Sequence, residues 1–296
     1  MNRSQFLADP DVIAFINWLA LRLPTLPVRL SVPFHPRYVP VKGGVSANLI
    51  GVDAVTAAYM WRATGMTNGD WPTTQTHCSA LAQMIRTAVV NGDPVATLQS
   101  AWKIIEWGGG NQSTGAFVFL DRMQARVVPY LRTTESVFRL ATADTGMLVP
   151  PVEQMNAMLT KVHAFLATDG LPIYDSRVAA AIATLVEMWR RATLPSHTLP
   201  ATPIPVALNF PSLSSRGKRR RTVAIKFHDA VLPKHLQGYT TSTARAWSCA
   251  KIRLGWLMEA LLCKQSAVYA SVGALSDRMR ALEAALFMIG YDVTCL

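Results

Sequence analysis

Residues 171–182, LPIYDSRVAAAI, combine a proline-led segment, one carboxylate and an alanine-rich apolar run. The residues around Pro172 are expected to be extended, because proline and the residue before it are poorly suited to a helix interior. Asp175 is a favoured helix N-cap, and the sequence after it predicts a helix over 176–192. The stretch therefore predicts an extended segment that leads through one aspartate into an apolar helix.

Helical periodicity dominates the rest of the chain as well. Strand signals are short and lie at 28–34, 222–227 and 291–296. The sequence thus predicts a mostly α fold with a few short strands, in which residues 1–296 form one unit or two packed helical lobes. The other predicted helices cover residues 9–22, 53–64, 75–90, 93–107, 130–142, 152–167, 243–262 and 275–289.

One long region, 194–239, is predicted to be irregular because six prolines rule out a continuous helix. It contains the sequence SSRGKRRRT, in which five of the six residues from 216 to 221 are basic. Such a run is either a solvated surface loop or a contact for a polyanion. Its basic residues are Arg216, Lys218, Arg219, Arg220 and Arg221.

The charge balance points to an anionic partner. The 296 residues include 29 basic and 18 acidic side chains, which gives a net charge of +11. This surplus favours nucleic acid first and a membrane surface second. The four cysteines lie far apart, without zinc-finger spacing, so neither a disulfide framework nor a metal site is predicted.

Neither a secretion signal nor a membrane span is predicted from the sequence. Its first residues, MNRSQFLADPDVIAF, lack a long apolar core with a cleavage site. No window of about 18 apolar residues is free of charge. A soluble cytoplasmic protein is therefore expected.

A glycine cluster, EWGGGNQSTG at 106–115, follows a predicted helix. It is not a P-loop, because no Gly-Lys-Ser/Thr ends it and no strand precedes it. The favoured interpretation is a helix C-cap in which Gly108 or Gly109 has positive φ. The alternative is a ligand-binding loop.

Residues 154–182 carry a family resemblance. The order QMNAMLTKVHAFLATDG, then LPIYDSRVAAAI, resembles the part of helix-hairpin-helix DNA glycosylases in which an apolar-Pro-apolar segment leads to the catalytic aspartate. Thr160-Lys161-Val162 resembles the lysine segment of the 8-oxoguanine glycosylase branch. The resemblance covers about 40 residues, and the glycine hairpin that precedes the lysine in that branch is replaced here by AMLTKV.

The resemblance implies that Asp175 stabilises the positive charge that develops on deoxyribose when an N-glycosidic bond breaks. It implies Lys161 as the nucleophile, with water as the alternative. The alternatives without a catalytic role are that Asp175 only caps its helix and that Lys161 is a surface lysine. Arg177 is expected to pair with Asp175 or to reach a phosphate near the start of this helix, and the alternative is an ordinary exposed arginine. The aromatic residues predicted to line a base pocket are Tyr174, Trp107 and Trp247.

The function implied is that of a DNA glycosylase, which flips a modified base out of double-stranded DNA and leaves an abasic site without a cofactor. The basic run replaces the missing hairpin as a phosphate clamp. In its divergence the chain is similar to bacterial phage-defence glycosylases that excise glucosylated hydroxymethylcytosine. The alternative is a non-catalytic nucleic-acid-binding protein, and a membrane-surface or partner-binding helical protein is a third reading.

Overall fold

A computed structural model describes residues 1–32, 44–63, 65–109, 114–195, 198, 202–211 and 240–296. The predicted mostly α fold is confirmed in these residues. The helices are α1 (Arg3–Leu7), α2 (Pro10–Arg22), α3 (Val52–Ala57), α4 (Trp71–Asn91), α5 (Pro94–Gly109), α6 (Thr114–Met123), α7 (Val127–Phe138), α8 (Leu159–Leu166), α9 (Ser176–Thr193), α10 (Thr241–Lys264) and α11 (Leu275–Ile289).

Aspartate caps define several helix starts. The Asp9 carboxylate accepts hydrogen bonds from two backbone N–H groups at the start of α2, and Asp70 accepts one from Thr73 N at the start of α4. These caps satisfy N–H groups that have no partner inside the helix. At the other end of α4, Gly92 adopts a φ of 71°, a left-handed conformation that favours glycine.

A single antiparallel hairpin accompanies the helices in the described residues. β1 (Pro27–Val32) pairs with β2 (Val45–Ile50), from Pro27 opposite Ile50 to Val32 opposite Val45. Alternate residues of β1 are buried, so one face of this strand packs on the helices.

The larger helices form two packed groups. α9 packs against α2 and α11, and α10 packs against α1, α2 and α11. α4, α5 and α8 pack against one another. The apolar face of α9 is almost wholly buried, which explains its alanine-rich sequence: small side chains let neighbouring helices approach closely. The start of α9 lies where these two groups meet.

Three predicted elements differ from the structure. The helix predicted over 53–64 ends at Ala57: Trp61 N donates to Gly69 O at 2.7 Å instead of to Ala57 O, its partner in a continued helix. The helix predicted over 152–167 begins only at Leu159, after the Asn156 side chain accepts from the N–H groups of residues 158 and 159.

The predicted C-terminal strand is wrong. Residues Val293–Cys295 form a 3-10 turn, in which the Asp292 carboxylate accepts hydrogen bonds from the N–H and hydroxyl of Thr294. The strand predicted at 222–227 lies outside the described residues. Within the described part of the chain, no helix is both long and apolar enough to cross a membrane.

Candidate active site

Asp175 caps α9, as predicted. Its backbone is extended, with φ of −103° and ψ of −177°, and Oδ1 accepts hydrogen bonds from Arg177 N at 3.0 Å and Val178 N at 3.1 Å. These two bonds fix the plane of the carboxylate. The second oxygen, Oδ2, is left to face α8.

Lys161 meets this second oxygen. Its Nζ lies 3.2 Å from Asp175 Oδ2 and 3.0 Å from Ala157 O, so the ammonium donates to both. The two side chains are only 4% and 10% exposed. Burying two charges costs hydration free energy that their attraction barely repays, so a buried ion pair need not stabilise the fold. A buried charged pair in a cleft is instead a candidate functional site.

The carboxyl of Asp175 is held in its ionised form. Burial alone opposes ionisation, but the ammonium of Lys161, the guanidinium of Arg177 and the two backbone N–H donors outweigh it and lower the pKa of Asp175 below its ordinary value. Asp175 therefore presents a fixed negative charge beside the amine.

Gly108 makes room for the lysine. A Cβ built on this residue of α5 would lie 2.3 Å from Lys161 Cδ and 2.6 Å from Lys161 Cε. Neither Gly108 nor Gly109 is among the positive-φ glycines of the described chain, so the predicted C-cap role is wrong. Gly108 instead lets the lysine stem pass directly over α5.

Lys161 and Asp175 line a cavity of about 310 Å³. One side of this cavity is polar: α4 contributes Arg86 together with amide and hydroxyl side chains, and α11 contributes Asp277, Arg280 and Glu283. Burial raises the pKa of the Glu283 carboxyl, although Arg280 opposes this shift from 2.8 Å. The aromatic side chains that line the cavity are Tyr59, Trp61, Trp71, Trp107, Phe165 and Phe287.

Arg177 occupies an aromatic cluster. Its guanidinium carbon lies 3.8 Å from the ring centre of Tyr291, 4.6 Å from that of Phe287 and 5.1 Å from that of Trp61. These are cation–π distances. Arg177 thus links Asp175, through its own N–H, to aromatic residues of the cavity wall.

Of the three predicted base-pocket aromatics, the cavity contains one. Trp107 lines it, and its carbonyl accepts a hydrogen bond from Trp61 Nε1 at 3.0 Å. Tyr174 and Trp247 do not line it: their rings pack edge to face at 5.8 Å, and the Tyr174 hydroxyl donates to Pro211 O. The extended backbone explains this, since neighbouring side chains point in opposite directions and Asp175 faces the cavity.

Several residues of the candidate site were not predicted from the sequence. Trp71 and Phe287 line the cavity without any local signal, because helical aromatic residues usually belong to the core. The role of Gly108 depends on α8, which is distant in sequence. The predicted DNA-binding residues Arg216, Lys218, Arg219, Arg220 and Arg221 lie outside the described residues.

No group of three or more His, Cys, Asp or Glu side chains suited to a metal ion occurs in the described ranges. Comparison of the chain with protein-family models, with curated proteins and with solved structures found no match.

Proposed function

We propose that this protein is a DNA glycosylase that extrudes a modified base into the cavity and cleaves its N-glycosidic bond. The observation that carries this proposal is the 3.2 Å contact between Lys161 Nζ and Asp175 Oδ2 on the wall of an aromatic-lined cavity. An amine and a fixed carboxylate side by side are what the reaction needs.

The proposed chemistry is displacement at the sugar. Asp175 accepts a proton from the Lys161 ammonium, and the free amine attacks C1′ of the extruded nucleotide. The C1′–N bond breaks, the base leaves with the bonding electrons, and it takes up the proton held by Asp175, which is thereby a carboxylate again. The Asp175 carboxylate stabilises the positive charge that develops on the sugar. A proton then moves from the lysine nitrogen to O4′ as the C1′–O4′ bond opens, which leaves a C1′=N Schiff base. Addition of water to this bond releases Lys161 and leaves the open-chain abasic site.

The cavity suits an extruded base. Its aromatic walls offer faces on which a flat base stacks, and its volume lies at the lower end of the range of about 300–1,000 Å³ typical of ligand pockets. The amide and hydroxyl side chains on α4 supply hydrogen-bond donors and acceptors for a substituent on the base. We include in the proposal that the substrate is double-stranded DNA with an enlarged modified base, such as glucosylated hydroxymethylcytosine.

The phosphate contacts are assigned to the basic run at 216–221. A net charge of +11 supports a polyanionic partner, and sequence-independent contacts to phosphates supply most non-specific affinity for DNA. No cofactor is part of the proposed reaction.

The deciding experiment incubates the protein with duplexes that carry unmodified cytosine, hydroxymethylcytosine or its glucosylated form, and then measures abasic sites. We expect abasic sites in modified DNA and a loss of about a hundredfold or more in Asp175→Asn, as for other electrostatic catalytic groups. Circular dichroism checks that the variant is folded. DNA binding without abasic sites on any duplex, repair lesions included, would instead identify a non-catalytic binding protein.

A further inference from the structure

Lys251 is the buried ammonium that the proposed reaction does not use. It lies on α10, is fully buried, and donates to Thr160 O at 2.8 Å, Thr160 Oγ1 at 3.1 Å and Pro172 O at 2.6 Å. Nζ therefore has three oxygen partners, none of which is a carboxylate, and burial lowers the pKa of Lys251 well below its ordinary value. Burying an ammonium without an acidic partner is costly, so its position calls for a reason.

The reason lies in what Lys251 joins. Thr160 immediately precedes Lys161 in α8, and Pro172 belongs to the extended segment that ends at Asp175. The Thr160 hydroxyl also accepts a hydrogen bond from Tyr174 N at 3.1 Å. Both backbone segments that carry the reacting side chains are therefore tied to one ammonium and one hydroxyl.

Other contacts of the same segment do not replace this connection. Ile173 N donates to Glu283 Oε2 at 2.6 Å, which holds the segment to α11, on the other side. Two connections join residues 172–174 to α8 by hydrogen bonds in the described structure. Lys251 Nζ joins Pro172 O to Thr160 O, and the Thr160 hydroxyl accepts from Tyr174 N. These bonds fix the distance between α8 and residues 172–174.

We propose that the Thr160 hydroxyl, held in place by Lys251, is a positioning group that sets the distance between Lys161 Nζ and Asp175 Oδ2. At 3.2 Å this contact is already long for a charge-assisted hydrogen bond, so a small separation of α8 from residues 172–174 breaks it. The proposal rests on the proposed glycosylase function for its catalytic meaning.

The test uses matched threonine variants in the full chain. Thr160→Val keeps the side-chain shape and removes the hydroxyl, whereas Thr160→Ser keeps the hydroxyl. Thr134→Val is the control, because Thr134 is equally buried and its hydroxyl contacts Leu131 O and His163 Nδ1 of α8 but not residues 172–174. Lys251→Met removes all three donors and keeps an apolar stem.

The first measurement does not depend on activity. Carbon-13 labelling of aspartate, with Asp175→Asn to assign the signal, gives the pKa of Asp175 directly. In Thr160→Val and Lys251→Met we expect this pKa to rise towards the ordinary value of about 3.9, because the Lys161 ammonium moves away. In Thr160→Ser and Thr134→Val it should keep its wild-type value.

The second measurement is single-turnover base excision together with DNA affinity. We expect Thr160→Val to lower the excision rate about tenfold or more while the Kd for DNA stays within twofold, since misplacement of reacting groups affects chemistry rather than binding. The proposal is overturned if the Thr160→Val protein is folded and has the same Asp175 pKa and the same excision rate as Thr134→Val. This outcome decides the matter even if Lys251→Met fails to fold. If the wild type excises no base, the glycosylase function fails, and the carboxyl titration alone still decides the positioning role.

Discussion

Gly108→Ala tests whether the placement of Lys161 matters for the reaction. The added methyl group would lie 2.3 Å from Lys161 Cδ, whereas ordinary contacts begin at 3.4 Å, so the stem has to move by about 1.1 Å. Since Nζ and Asp175 Oδ2 are already 3.2 Å apart, a shift of this size away from Asp175 ends their hydrogen bond. A displacement of about 1 Å at a reacting group lowers the rate roughly a hundredfold.

Stability should change much less than activity. The clash involves the middle and end of a flexible side chain, and replacing a helical glycine by alanine favours the helix by about 1 kcal/mol. We expect single-turnover excision to fall about a hundredfold while thermal unfolding shifts by only a few degrees. Gly273→Ala is the matched control, because a Cβ there meets nothing within 4 Å.

A Gly108→Ala protein that excises bases at the rate of Gly273→Ala would refute this reasoning. It would mean that Lys161 does not act from its observed position, and that the nucleophile is water. A loss of folding in Gly108→Ala would instead contradict the view that Lys161 can yield at low cost.

Three further outcomes are expected. Borohydride should trap a covalent adduct with DNA during turnover, and Lys161→Ala should abolish it; an active enzyme without an adduct uses water as the nucleophile. Replacing Arg219, Arg220 and Arg221 by alanine should weaken binding to all DNA sequences and reduce the log–log salt slope by about 0.9 for each lost phosphate contact, and an unchanged slope assigns the run another role. Burial, with a contribution from Lys251, lowers the pKa of His163 to about 3, so on acidification the unfolded chain binds a proton at this histidine before the folded protein does. The free energy of unfolding, measured by urea titration, should therefore fall by about 2 kcal/mol from pH 7 to pH 5, and by less in His163→Phe.

The fold class and the start of α9 were predictable because their signals are local. An N-cap aspartate after a proline-led segment and an alanine-rich run act over a few residues, and the structure has the same arrangement. β2 was not predicted, since its residues are intermediate or exposed in alternation and its sequence, VSANLI, has little contrast between apolar and polar positions.

The candidate site was only half predictable. Lys161 and Asp175 were predicted from the sequence, but the number of residues between them does not give the distance between their side chains. The chain reverses direction after α8, and this brings Lys161 Nζ to 3.2 Å from Asp175 Oδ2. The pairing also determines the stability cost expected for Asp175→Asn. As a cap alone the replacement costs less than about 1 kcal/mol, whereas loss of a buried partner charge costs about 3–5 kcal/mol.

The tryptophans of the cavity give the protein a built-in optical signal. The chain has eight tryptophans, and Trp61, Trp71 and Trp107 all line the cavity. A base that stacks on these rings changes their emission, so stopped-flow fluorescence can follow base entry without any label on the DNA. In Asp175→Asn the emission change should persist while cleavage is slow, which lets extrusion and bond breaking be timed as separate events.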